Sequence, residues 1–177
     1  MAGEWLAYGE FSLAVIGLAP FALHRWSCGK WAKGRLVCPQ DDSKLAITVL
    51  LPVWNEGLII EKKLASLAQQ SVKVDLLLID SASTDDTLSK SRTWLEDFPN
   101  AFTSHQIIAM PKRLGKTTAV MQALDALEGN DGIIVMTDAD ATLMAGALER
   151  VRRWFSDSQI GGVGGTPQRI GEFGGEE

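Results

Sequence analysis

Asp138 and Asp140 stand one alanine apart in VMTDADAT (135–142), at the end of an apolar run. On an extended chain, side chains two residues apart project to the same face, so the two carboxylates stand side by side. Like unit charges about 4 Å apart repel by roughly 4 kcal/mol at a near-surface dielectric. Paired carboxylate oxygens bind Mg2+ or Mn2+, and a cation that also bridges to phosphate oxygens offsets that repulsion. Three further polar clusters, PVWNE (52–56), DSASTDD (80–86) and MPKRLGK (110–116), supply an aromatic ring, more carboxylates, cationic side chains and small residues that permit close backbone approach. The inventory suits a nucleotide diphosphate held through a divalent ion, with Lys116 neutralising further phosphate charge.

A repeating strand and helix pattern must position these clusters. LAITVLL, Leu45 to Leu51, predicts a buried strand broken by Pro52, and EGLIIEKKLASLAQQ follows with helical apolar spacing at Ile59, Ile60, Leu64 and Leu67. VDLLLID (74–80) predicts a second strand. STDDTLSKSRTWLEDF then predicts a helix with Ser83 or Thr84 as N-cap and Asp85 and Asp86 in its first turn, where the dipole favours them. HQIIAM predicts a third strand, RLGKTTAVMQALDALEG a helix closing at Gly129, GIIVMTD a fourth strand, and LMAGALERVRRWF a last helix with a basic final turn. Unbroken apolar strands alternating with helices predict an α/β fold with a parallel sheet covered on both faces. Ligands in such sheets bind beyond the carboxyl ends of the strands, so all four polar clusters should share one edge.

Composition is that of a globular domain, 46% hydrophobic and 22% charged. The net charge of -5, with scattered basic residues, argues against a nucleic-acid partner. Cys28 and Cys38 fit neither a metal-ligand pattern nor a disulfide framework, and His24 and His105 have no companion ligands. The apolar stretch from Trp5 to Leu23 approaches the roughly 20 residues that cross a hydrocarbon core. Glu4 precedes it and Arg25, Lys30, Lys33 and Arg35 follow it, so a span here would leave the rest of the chain in the cytoplasm. The organisation expected is a membrane-anchor helix with a basic flank (1–35), a linker (36–45) and a ligand-binding domain (46–177).

The stretch from about Ile47 to Arg169 resembles the donor-binding half of a family-two glycosyltransferase. LPVWNE is similar to that family's Pro-x-aromatic-Asn-Glu entry, IDSASTDDT to its Asp-rich turn, RLGKTTAVMQAL to its Gly-Lys helix start, and TDADA to its Asp-x-Asp signature. The resemblance implies a Rossmann-like GT-A sheet and transfer of a sugar, in inverting fashion, from a UDP- or GDP-type donor to a polysaccharide, lipid or protein acceptor. By position it implies a donor site of Pro52, Trp54, Glu56, Asp80, Ser81, Lys116 and Asp138. Trp54 would flank the nucleobase, the Asp80 turn would contact base and ribose, Lys116 would lie near the diphosphate, and Asp138 with Asp140 would hold ribose and metal.

Two positions depart from the family pattern. Ser81 stands where members often carry Asp, leaving Asp80 as the neighbouring carboxylate, and Met121 stands where many carry Asn. The sequence ends at GEFGGEE, before the region where the family places its acceptor-side base and further membrane helices, so a fragment is expected and the catalytic base is unknown. Glu172, Glu176 and Glu177 are its candidates by elimination alone. A noncatalytic nucleotide-sugar-binding fragment is therefore the first alternative to a transferase. A P-loop-like hydrolase is the second, but that motif needs Gly where Met110 stands. Bland readings remain beside these: Trp54 as a cap on the core, Lys116 as a solvated first-turn residue, Asp85 and Asp86 as helix-start charges, and Asp138 as an N-cap.

Overall fold

The computed structural model describes residues 2–31, 37–40 and 43–166, with side chains described from residue 15 to 29, from 37 to 40 and from 43 onward. The chain divides into two units, Met1–Val37 and Cys38–Glu177. The larger holds a four-stranded sheet of β1 (Ile47–Val53), β2 (Asp75–Asp80), β3 (His105–Ala109) and β4 (Ile133–Met136). All pairings are parallel and the order is β3-β2-β1-β4. Every connection is therefore a crossover that passes through a helix.

The two central strands are the apolar runs of the sequence, because only a strand with neighbours on both sides and helices on both faces can bury every side chain. Val49, Leu51 and Val53 of β1 and Leu76 and Leu78 of β2 pack with Ile60, Leu64 and Leu67 of α2 (Ile60–Ala68), Leu95 of α3 (Thr87–Asp97) and Leu148 of α5 (Ala147–Trp154). Leu50, Leu77 and Ile79 point to the other face, under Ala119 and Ala123 of α4 (Lys116–Asp125). The small alanines let that helix sit close to the strands.

The strand boundaries depart from the sequence reading at one informative place. Pro52 does not break β1 but pairs with Ile79 inside it. Leu50 accepts the Thr137 N–H on the β4 side, and Val53 accepts the Ser81 N–H on the β2 side. Alternation then turns the Pro52 nitrogen toward β4, past the last ladder pair of Leu50 and Met136, so its missing N–H costs no ladder bond. Helix α3 also begins later than expected, with Asp86 rather than Ser83 or Thr84 at the N-cap position.

The smaller unit contains α1 (Ala2–Trp31), a helix of 30 residues with Pro20 inside it. At 1.5 Å per residue it extends about 45 Å. Its exposed apolar residues Val15, Ile16, Leu18, Phe21, Leu23 and Trp26 spread over more than half of the helix circumference rather than on one narrow stripe. Among the described residues no helix is long and apolar enough to cross a membrane. The expected span begins at Trp5, and the side chains of residues 5–14 lie outside the described residues, as do Lys33, Arg35 and the three candidate glutamates Glu172, Glu176 and Glu177.

Leu50 is fully buried at the centre of the sheet. Leu50→Ala should lower stability by about 2–5 kcal/mol, measured as a shifted urea midpoint with an unchanged slope.

Candidate functional site

The carboxyl ends of the strands meet in a cleft of about 280 Å3 lined by Pro52, Trp54, Glu56, Ser81, Arg113, Lys116, Asp138 and Asp140, with Val53, Ala119 and Ala139. All four polar clusters contribute to it, from the loops after β1, β2, β3 and β4. Of the donor and metal residues expected from the sequence, Asp80 alone is missing from the lining.

Asp80 is buried instead, and its carboxylate accepts the Ser83 N–H at 3.1 Å and the Ser83 hydroxyl. Its negative charge is spent on folding the turn. Ser83 and Thr84, freed from capping α3, pin the next loop: the Asn55 N–H donates to Ser83 Oγ at 2.9 Å and the Thr84 N–H donates to Asn55 Oδ1 at 2.8 Å. Asn55 has a φ of 56°, a left-handed backbone that asparagine tolerates better than most residues. The Gly57 N–H donates to Asp85 at 3.0 Å, and Asp85 also accepts the Thr87 hydroxyl at 2.5 Å and the Thr87 N–H at 3.0 Å. The Thr87 hydroxyl, more than these backbone donors, holds the Asp85 carboxyl below its usual range. A Cβ on Gly57 would lie 1.9 Å from Asp86 Oδ1 and 2.9 Å from Asp85 Oδ2, so a larger residue there would have to displace those side chains. The loops after β1 and β2 are thus one bonded unit that presents Trp54, Glu56 and Ser81.

The loop after β4 presents the paired carboxylates. Thr137 and Ala139 are buried while Asp138 and Asp140 are not, so the period-two alternation carries past the strand end and sends both carboxylates to the cleft. Asp138 Oδ1 pairs with Lys116 Nζ at 2.6 Å, both side chains being about half exposed. Lys116 opens α4 behind Gly115, whose φ of 88° lies in the region that glycine occupies freely. The first turn of α4, with no side-chain cap, and the Lys116 ammonium bring positive potential to one end of the cleft.

The Arg113 guanidinium carbon, also in the lining, lies 3.3 Å from the centroid of the Trp54 ring. The Ser81 hydroxyl oxygen, in the lining as well, is buried with no hydrogen-bond partner. A buried hydroxyl left unpaired is costly, and one in a cleft lining is an attachment point for a polar ligand.

Negative charge accumulates at the mouth. Burial, and then Asp140, Asp85 and Asp138, push the Glu56 carboxyl above its usual range. A divalent cation there would relieve this field. Asp138 and Asp140 are hard oxygen donors of the right kind, and among the described residues no group of three or more His, Cys, Asp or Glu side chains is placed to enclose a metal. The donor set fits an ion that takes its remaining ligands from phosphate oxygens and water, the usual mode for Mg2+.

Two residues in or behind the site were not singled out from the sequence. Arg113 lay within the quoted MPKRLGK cluster but carried no mark to separate it from Lys112. Lys63 is buried on α2 and donates to the loop after β4. Its signal was available, since position 63 falls on the same helical stripe as Ile60, Leu64 and Leu67. The hydrolase alternative loses its footing here, because Met110 is packed into the core under α4 and no glycine cradle precedes Lys116.

Residues 48–177 match the model of a family described as glycosyl transferase family 2. Among curated proteins, an uncharacterized protein of Mycobacterium tuberculosis is 29% identical over 131 residues, covering 73% of this chain and 38% of its own length. Dodecaprenyl-phosphate galacturonate synthase of Rhizobium johnstonii is 26% identical over 115 residues, covering 60% of this chain and 33% of its own length. Among solved structures, a mannosyltransferase from Pyrobaculum calidifontis in complex with GDP-Man and Mn2+ superposes with a TM-score of 0.68 at 30% identity, over 85% of this chain and 44% of that one. The chain therefore spans less than half the length of each of these relatives.

The electrostatics of the mouth can be read directly. A raised pKa means that the folded state holds the Glu56 proton more tightly than the unfolded chain does. The Glu56 contribution to stability then falls as pH rises from the ordinary glutamate range through the raised value. In a carboxyl-detected NMR titration Glu56 should titrate above the ordinary range, and Asp140→Asn should bring it down.

Proposed function

The chain belongs to glycosyl transferase family 2, and on that premise we propose that its cleft binds the nucleoside diphosphate of a sugar donor, with Mg2+ or Mn2+, for transfer of the sugar to an acceptor. The observation that carries the reading is the convergence of Asp138, Asp140 and Lys116 with Trp54 and Ser81 in one cleft at the carboxyl edge of the sheet. The complex of the Pyrobaculum calidifontis mannosyltransferase with GDP-Man and Mn2+ supports it by likeness of fold and sequence.

The cleft has a polarity that matches such a donor. Trp54 and Arg113 form an aromatic and cationic surface in the lining, suited to a nucleobase. The unpaired Ser81 hydroxyl supplies a hydrogen bond to base or ribose, where the sequence resemblance would have used Asp80. Pro52 and Glu56 line the cleft from the β1 side. Lys116 and the first turn of α4 attract the diphosphate, while Asp138 contacts ribose and shares the metal with Asp140. When bound, the cation stabilises the negative charge that develops on the departing diphosphate.

Calorimetry in the presence of Mn2+ tests this reading. GDP or UDP should bind more tightly than ATP, and Asp140→Ala should abolish the dependence on Mn2+. Tighter ATP binding with hydrolysis that needs Lys116 would contradict it. Donor binding without transfer or donor hydrolysis by the purified chain would favour the noncatalytic alternative.

The proposal extends to α1 as a membrane anchor, with the sugar-binding unit on the cytoplasmic side. The described part of α1 exposes apolar side chains over more than half of its circumference, and Arg25 lies near the end of that stretch. Deleting residues 1–35 should move the protein from the membrane to the soluble fraction. An unchanged distribution would remove the anchor.

A further inference from the structure

Lys63 belongs to none of the four polar clusters and does not line the cleft, yet it is 3% exposed. Its Nζ donates to Thr137 Oγ1 at 2.8 Å and to the Ala141 carbonyl at 2.5 Å. Those two acceptors bracket Asp138, Ala139 and Asp140. The loop is closed from within by a longer bond, the Ala141 N–H donating to the Asp138 carbonyl at 3.3 Å.

Taking an ammonium out of water carries a heavy penalty, and both direct partners here are neutral. Burial lowers Lys63 to about 8, while Asp138 and then Asp140 act in the opposite direction. A methionine of similar length would fill the same space among Ile60, Leu64 and Leu67 without that penalty. What it would not do is satisfy a hydroxyl and a carbonyl at the two ends of the loop from a single atom.

We propose that Lys63 is a positioning residue for the paired carboxylates: its ammonium ties both ends of the Thr137–Ala141 loop to α2 and so keeps Asp138 and Asp140 facing the cleft together. The consequence for metal binding rests on the donor-binding reading above, whereas the effect on the loop does not. Two carboxylates that repel one another would otherwise separate whenever the cation leaves. A fixed positive charge behind the loop holds them without occupying the cleft, where Lys116 already pairs with Asp138.

Hydrogen exchange by mass spectrometry on the whole chain, with Lys63→Met, Lys63→Arg and Thr137→Val, tests the proposal alongside a direct Mn2+ titration followed by electron paramagnetic resonance. Peptides covering residues 137–142 should exchange roughly ten-fold or more faster in Lys63→Met, those covering β2 and α3 should be unchanged, and Lys63→Arg should recover part of the protection. Thr137→Val removes one of the two acceptors and leaves the bond to the Ala141 carbonyl in place, so it should show a smaller increase in the same peptides. Mn2+ affinity should fall by about ten-fold or more in Lys63→Met. Unchanged exchange at 137–142 in Lys63→Met and Thr137→Val would overturn the proposal, and so would acceleration spread evenly over the sheet. If the wild-type chain binds no Mn2+, the donor-binding reading fails, while the exchange at 137–142 still decides the role of Lys63.

Discussion

Like charges held together at one edge of a sheet dominate this molecule. Asp138, Asp140 and Glu56 converge on a small cleft, and the Glu56 carboxyl is raised by burial first and by the neighbouring carboxylates second. The protein answers with cations on two sides. Lys116 meets Asp138 from the front, in an exposed pair that by itself stabilises by about 0–1 kcal/mol, and buried Lys63 holds the loop from behind. Neither cancels the charge completely, which leaves the cleft attractive to a divalent cation. The sheet order, the α4 start and the bonded loops after β1 and β2 all serve to keep those groups in one place.

The positioning is done largely by hydrogen bonds between loops. Asn55 to Ser83 and Thr84, and Gly57 to Asp85, fuse two strand ends into a unit, so that Trp54 and Ser81 are presented together. Such a network is cooperative, and its members rigidify one another. This explains why an acid-rich turn such as STDDT has so few charges directed into the cleft. Asp80 folds its own turn, Asp85 holds Gly57 and Thr87, and Asp86 pairs with Lys90 at 2.8 Å. The polar atom that remains unspent is the Ser81 hydroxyl.

Much of the fold was legible in the sequence, because strands buried on both faces are continuous apolar runs and their polar ends mark the functional edge. The parallel sheet with two helical layers and the meeting of the four clusters follow from that pattern. The errors were local. Pro52 reads as a strand breaker until the short β4 ladder shows that its nitrogen needs no partner. Ser83 and Thr84 read as helix caps, since nothing in the sequence reveals that Asn55, 28 and 29 residues away, competes for them. Lys63 drew no reading within EKK, although its place on the apolar stripe of α2 was already visible. The resemblance placed both Asp80 and Ser81 at the donor, and a sequence does not show that the Asp80 carboxylate turns onto Ser83 while Ser81 lines the cleft.

The central claim is that a cation sits between the Asp138 and Asp140 oxygens and a diphosphate at the carboxyl edge of the sheet. Anomalous diffraction from crystals grown with Mn2+ and GDP or UDP measures its place directly. A Mn2+ peak within direct coordination distance of Asp138 or Asp140 and of a phosphate oxygen is the predicted result. A nucleotide bound with no Mn2+ at these carboxylates, or a Mn2+ peak elsewhere on the chain, would contradict the account.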